Sequence, residues 1–247
     1  MTGMEALRMV KHYILMSSDY VGGSRIALDI TGEERLKSSA IKNVLREIRA
    51  KCGQDVSLST HILSADSADW DSVMKYDPFF EGVVCADSVE TFSTRVKRSR
   101  ILSGLNVANY ILSKVRCTYL SLAELVYFAY ADYLCKSSKR LFEDCICAFP
   151  YGITAKSVHE RYRKDLLLNP NIEEAPAKSR ILFAYNGIEK LTFINRTIDR
   201  YGDCTARELV DLTHRIGSPW SLANSFTPYQ IISDDVIQEK HYMECLP

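Results

Sequence analysis

Along the first ninety residues the apolar positions switch between a two-residue repeat and a helical one. Residues 12–17, 57–64 and 82–87, the last with its Val83-Val84 pair, predict short strands. Between the first two, Leu36, Ala40, Ile41, Val44, Leu45 and Ile48 share one face of a helix expected over residues 33–52. A short helix over residues 69–76 links the second and third strands, and Pro78 ends it. Strand, helix, strand, helix, strand is the order of a small α/β module with a partly parallel sheet.

From Val89 onward the text turns helical. Val107, Ala108, Ile111, Leu112 and Val115 form one apolar stripe, and Leu122, Leu125, Val126, Ala129 and Tyr133 form another. Residues 169–178, rich in Pro, Asn and Glu, read as an exposed loop, and residues 181–200 as one long helix. Thr205 with Glu208 makes a capping box, and Leu209, Leu212 and Ile216 give the helix it opens a buried face. Gly217 and Pro219 stop that helix, which brings His214 and Trp220 close together. The expected fold is therefore α+β. An α/β module over residues 1–94 precedes a basic junction, RVKRSR, within residues 95–104, and a mainly helical domain over residues 105–247.

The helical half carries a family resemblance. NVANYIL (106–112), LSLAELVYFAYADYL (120–134), LFEDCICAFPYGITAKSVHERYR (141–163), YGDCTARELVDLTHRIGSPW (201–220) and IISDDVIQEKHY (231–242) follow one another in the order of a known pattern. That pattern has two opening helices, an aromatic-Gly turn before a Val-Tyr helix, and a tail running Tyr-Gly, Ser-Ala-x-x-Leu, Thr-His and Pro-Trp. Together these stretches resemble the Panacea domain, found in phage-associated, SocA-like antitoxins, over about residues 105–242. Ala123 and Glu124 stand where the family has Gln-Lys, and Gly152, Ile153 and Thr154 where it has Gly-Pro-Val. A Lys-to-Glu exchange inverts a charge, which bears on partner choice. The resemblance implies a helical, non-enzymatic antitoxin of a toxin-antitoxin system. Its partner would be a cognate toxin protein, commonly encoded alongside, held by direct binding or delivered to a protease. Tyr127, Tyr130, Tyr151, Gly152, His214 and Trp220 would form the shared structural and binding cluster, with Glu124 tuning specificity.

Composition narrows the picture without redirecting it. Hydrophobic residues make up 47% of the 247, charged residues 25%, and the formal net charge is zero, so no global field favours nucleic acid. Arg8, Lys11 and His12 interrupt the first apolar run, which reads as no signal peptide, and eight scattered cysteines read as buried free thiols in a reducing cytoplasm. Tyr127, Phe128, Tyr130 and Tyr133 follow too closely for one helix face, so at least one is expected on a partner surface.

Other chemistry is weaker. His214 has no nucleophile at a fixed spacing, and a packed histidine whose ring nitrogens hold the helix end is expected instead. Cys145-x-Cys147 lacks the second pair of ligands a structural zinc site needs, His159 and His241 read as solvated, and no metal or cofactor is expected. Gly22-Gly23 after a strand is a fragment of a phosphate loop and fits a plain turn or hairpin. Asp66, Asp69 and Asp71 with Asp87 form an acidic cluster that helix N-termini also explain. Two rival readings remain. One is a DNA-binding regulator of its own operon that uses Arg95, Lys97, Arg98 and Arg100 on phosphates. The other is a nucleotide or ligand sensor on the N-terminal module.

Overall fold

A strand of ten residues, β1 (Val10–Asp19), turns back through Gly23, whose φ of 66° suits glycine, into β2 (Ser24–Gly32). The computed structural model describes residues 9–32, 38–165, 167–168, 171–223 and 229–245. It divides into two compact units, Met1–Arg100 and Ile101–Pro247. In the first unit the hairpin is followed by α1 (Ser38–Cys52), β3 (Ser59–Ala65), α2 (Trp70–Tyr76), β4 (Val83–Ala86) and α3 (Val89–Ser99). The strands form a mixed sheet in the order β3-β1-β2-β4, antiparallel at β1 and parallel between β2 and β4, where Ile26 faces Val84. Alternation along β1 sends Ile14 and Met16 into a core with Ala27, Val73, Phe80 and Val83, and turns Leu15 to the opposite face.

Two expectations for this unit change, and one falls outside the described residues. The sheet gains β2, so its central pair is an antiparallel hairpin and only one pairing is parallel. Leu36 and the expected start of the first helix, residues 33–37, lie outside the described residues. The basic run is no linker, because Arg95 to Ser99 are the last turns of α3, a helix capped by the Ser88 hydroxyl on the Thr91 amide.

The second unit is built around α5 (Tyr119–Ser137), reached through α4 (Gly104–Lys114) and the short β5 (Cys117–Thr118). Every residue from Ser121 to Ala131 is buried. A helix apolar on all sides has to be enclosed on all sides. Three flanking segments come next, β6 (Ile146–Phe149), β7 (Gly152–Ala155) and α6 (Lys156–Tyr162). Then come β8 (Leu167–Leu168), α7 (Glu174–Phe183), α8 (Gly187–Tyr201), α9 (Ala206–Thr213), α10 (Pro219–Leu222), β9 (Gln230–Ile231) and α11 (Asp234–Lys240). Helices α4, α8, α9 and α11 and strand β7 all pack on α5. β6 pairs antiparallel with β7 on one side and β9 on the other.

Two helix boundaries differ from expectation here. Residues 169 and 170 lie outside the described residues, yet α7 begins at Glu174 within the stretch read as a loop and buries Ala177. Glu174 suits a helix N-terminus, and Pro176 sits within the first turn, where its missing N–H breaks no helical hydrogen bond. The single long helix of residues 181–200 is two, because Asn186 takes a left-handed φ of 55° and breaks the run ahead of α8. Among the described residues no helix is long and apolar enough to cross a membrane.

Candidate functional site

Tyr127 and Tyr130 are not on a surface. Both lie on α5 with Phe128 and Tyr133, and all four rings are 0–1% exposed. One helix face could not take them all, but α5 is packed from every side and needs no exposed face. Their hydroxyls find acceptors brought in by the C-terminal segment: Tyr127 donates to Glu244 at 2.6 Å and Tyr130 to Asp234 at 2.7 Å. Phe128 stacks on Tyr201 with centroids 4.5 Å apart. These rings hold the unit together.

Glu124 is likewise buried, so it cannot set a surface charge. It accepts from the Ile153 amide at 3.3 Å, under the β6–β7 hairpin. Burial raises its pKa well above the ordinary carboxylate value, an effect increased by Glu244 and only partly offset by the Ile153 amide and the Thr213 hydroxyl. Burial therefore favours the protonated form of this carboxyl. Gly152 leaves room for it, since a Cβ there would run into Glu124 Oε1.

A second buried polar chain continues from Tyr127. Glu244 takes the Tyr127 hydroxyl and His241 Nδ1, the latter at 2.8 Å, and His241 Nε2 meets Asp132 Oδ1 at 3.0 Å. Burial opposes a charge on His241, but the two carboxylates outweigh it and lift its pKa to about 9. The expectation of a solvated His241 is thus wrong. The turn after α11 folds it against α5, where it is 3% exposed. His159 is also engaged, stacked on Phe149 at 3.6 Å and hydrogen-bonded to the Tyr119 hydroxyl.

The remaining predicted residues gather at the hairpin. Phe149 pairs with Gly152, leaving Pro150 and Tyr151 as a two-residue turn whose Tyr151 side chain is 81% exposed. Trp220 Nε1 donates to the Phe149 carbonyl at 2.9 Å. His214 stacks flat on the Trp220 ring, with centroids 3.4 Å apart and an interplanar angle of 11°. The turn is set by the Ser218 hydroxyl on the Thr213 carbonyl and by Gly217 at a φ of 86°. The proximity of His214 and Trp220 is as expected, but the reason is different: His214 Nε2 has no hydrogen-bond partner, and the stack rather than the ring nitrogens fixes the imidazole. Phe149, Pro150, Trp220, Ala223 and Gln230 line a cleft of about 80 Å³. Leu222, two residues after Trp220, and Ile231, next to Gln230, are more than half exposed.

The rival sites fare differently. Arg95 pairs with Asp19 at 2.5 Å, and Arg100, 2% exposed, donates to the Cys52 carbonyl and to Asp55. Two of the four cations expected on phosphates are thus held inside the unit, which leaves Lys97 and Arg98 too few for a phosphate track. At the Gly22-Gly23 turn the Gly22 amide donates to the Asp19 carboxylate. Burial of Asp19 raises its pKa, but Gly22, Ser99 and Arg95 outweigh that and bring it below the ordinary value. A carboxylate already fills the cradle a phosphate would need.

No three of Asp66, Asp69, Asp71 and Asp87 bring their oxygens together, since among the described residues the metal-compatible cluster is Asp132, His241 and Cys245. All eight cysteines are free. Cys52, Cys117 and Cys147 are buried as expected, whereas Cys135 and Cys145 are exposed. Sequence reasoning also missed His12, which is wholly buried and joins Asp29 at 2.6 Å to the Ser67 carbonyl at 2.9 Å. Its place inside the alternation of β1 was the available signal.

Neither models of known families, nor curated proteins, nor solved structures match the chain.

Proposed function

We propose that the protein is an antitoxin-type binding protein whose second unit holds a partner toxin on the face formed by Tyr151, Trp220 and the neighbouring exposed apolar side chains. One observation carries this reading: Tyr151 stands 81% exposed on a two-residue turn whose base is pinned from below by Glu124 and from the side by Trp220. A rigid, exposed aromatic loses little entropy on binding and is the usual anchor of a protein interface. Leu222 and Ile231 add exposed apolar side chains in the neighbouring segments, and Ile216, expected on the buried face of α9, lies past the end of that helix and is 93% exposed. Support for the antitoxin class comes from the Panacea resemblance, whose segments all fall in the second unit. The cleft beside Trp220, at about 80 Å³, is smaller than a typical small-molecule site, which fits a face used for protein contact.

The test is to co-purify the product of the adjacent reading frame with the wild type and with Tyr151→Asp. Tyr151 makes few internal contacts, so the variant keeps the melting temperature. Under this reading it loses the partner by at least tenfold in affinity. An unchanged affinity removes this face from the reading.

A further inference from the structure

The end of the second unit carries a group of side chains that the binding face does not use. After α11 a tight turn, His241–Met243, returns the chain to the flank of α5. There a carboxylate oxygen of Asp132, a ring nitrogen of His241 and Cys245 Sγ all lie within 4.8 Å of one another, and no other such trio occurs among the described residues. Ligand atoms around a tetrahedral zinc ion stand about 3.3–3.7 Å apart, given its bond lengths, so small side-chain movements close this set on an ion.

The surroundings of His241 point the same way. Its Nδ1 is held by Glu244 Oε2 at 2.8 Å, and the same oxygen accepts from the Tyr127 hydroxyl at 2.6 Å. A carboxylate on the far nitrogen is the arrangement that orients metal-binding imidazoles and fixes their tautomer. With the Nδ1 proton given to Glu244, Nε2 presents its lone pair to Asp132 Oδ1 only 3.0 Å away. Nε2 and Asp132 Oδ1 are both ligand-type atoms, and a small opening of their 3.0 Å contact brings them to the spacing of neighbouring ligands on zinc. The adjacent Cys245 thiol, whose contact is a weak one of 3.6 Å to the His241 carbonyl, adds a soft donor to the pair.

We propose that Asp132, His241 and Cys245 bind a divalent transition-metal ion of the zinc class. One oxygen, one nitrogen and one sulfur suit zinc or cobalt and exclude calcium and magnesium, which take oxygen ligands. Water completes the tetrahedron, because Cys135 Sγ is not among the ligand atoms that lie within 4.8 Å of one another. On binding, the Cys245 thiol proton and any proton on His241 Nε2 leave to solvent, and three new bonds to the ion replace them. The ion ties the C-terminal turn to the central helix.

The experiment uses the full chain without a histidine tag, titrated with cobalt(II) as a spectroscopic probe and then with zinc. The proposal expects one cobalt per chain, a thiolate-to-cobalt charge-transfer band in the near ultraviolet, displacement by zinc, and a melting temperature that rises with zinc concentration. Cys245→Ser abolishes the band and weakens binding at least tenfold, while Cys135→Ser leaves both unchanged. No band together with a flat melting temperature overturns the proposal and leaves His241 as an imidazolium between two carboxylates. Loss of the band in Cys135→Ser but not Cys245→Ser also overturns it. Should Cys245→Ser fail to fold, the wild-type stoichiometry, band and zinc-dependent melting still decide the question.

Discussion

Replacing Tyr127 by Phe separates a structural tyrosine from a binding one. The ring stays in its packed position, and what is lost is one hydroxyl hydrogen bond, 2.6 Å long, to a carboxylate that is itself fully buried. Glu244 then keeps His241 alone, since its second oxygen has no hydrogen-bond partner. Hydrogen bonds to charged groups contribute about 1.5–3 kcal/mol, so a loss of about 2 kcal/mol follows. In a domain of this size that lowers the melting temperature by about 4–8 °C. Tyr130→Phe is the control. Its acceptor, Asp234, is partly exposed and also paired with Arg140 at 2.6 Å, so about 0.5–1 kcal/mol is expected. The assay is thermal and urea unfolding of both variants, with partner binding measured on the folded protein. A Tyr127→Phe protein that melts with the wild type but binds its partner weakly refutes the reasoning, because it returns Tyr127 to a surface.

Three further outcomes are expected. Glu124 has a folded-state pKa far above 4.5, so the native state holds a proton that the unfolded chain releases, and stability falls as pH rises from about 4.5. Glu124→Gln keeps the shape, flattens that fall and is the more stable protein at pH 7; parallel pH profiles for the two proteins rule this out. Gly152→Ala forces a methyl group against Glu124 Oε1 and Leu120 and costs about 1–3 kcal/mol by urea unfolding. The double variant with Glu124→Ala costs less than the two single changes combined, and strict additivity would remove the contact as the cause. In the first unit, Arg100→Met leaves Asp55 without its partner and the Cys52 carbonyl without one donor, and is expected to lower stability by about 2 kcal/mol without altering partner binding.

Local pattern carried much of this fold. The capping box at Thr205 and the stop at Gly217 and Pro219 are written within a few residues of one another, so the His214–Trp220 neighbourhood was legible in the chain. Ile26, Leu28 and Ile30 alternate as a strand should, and β2 was readable from them although only its turn was recognised. The text of α5, almost unbroken apolar residues around Glu124, already described a central helix, and reading it as two-faced produced the misplaced binding tyrosines. What no local pattern contains is the partners of the polar groups. Tyr127 meets a residue 117 positions later and Tyr130 one 104 positions later. His241 lies among Glu239, Lys240 and Tyr242, which read as solvated, and only the fold-back onto Asp132, 109 positions earlier, buries it. Arg100 looked like the end of a basic run because Asp55 and the Cys52 carbonyl are supplied by a distant helix end.

Growth of cells that express the adjacent reading frame, alone, with the wild-type protein and with Tyr151→Asp, tests the central claim most directly. The account predicts arrest with the neighbour alone, rescue by the wild type, and no rescue by a Tyr151→Asp protein that is folded and equally abundant. A neighbour that is harmless alone contradicts the antitoxin reading, and full rescue by Tyr151→Asp contradicts the binding face.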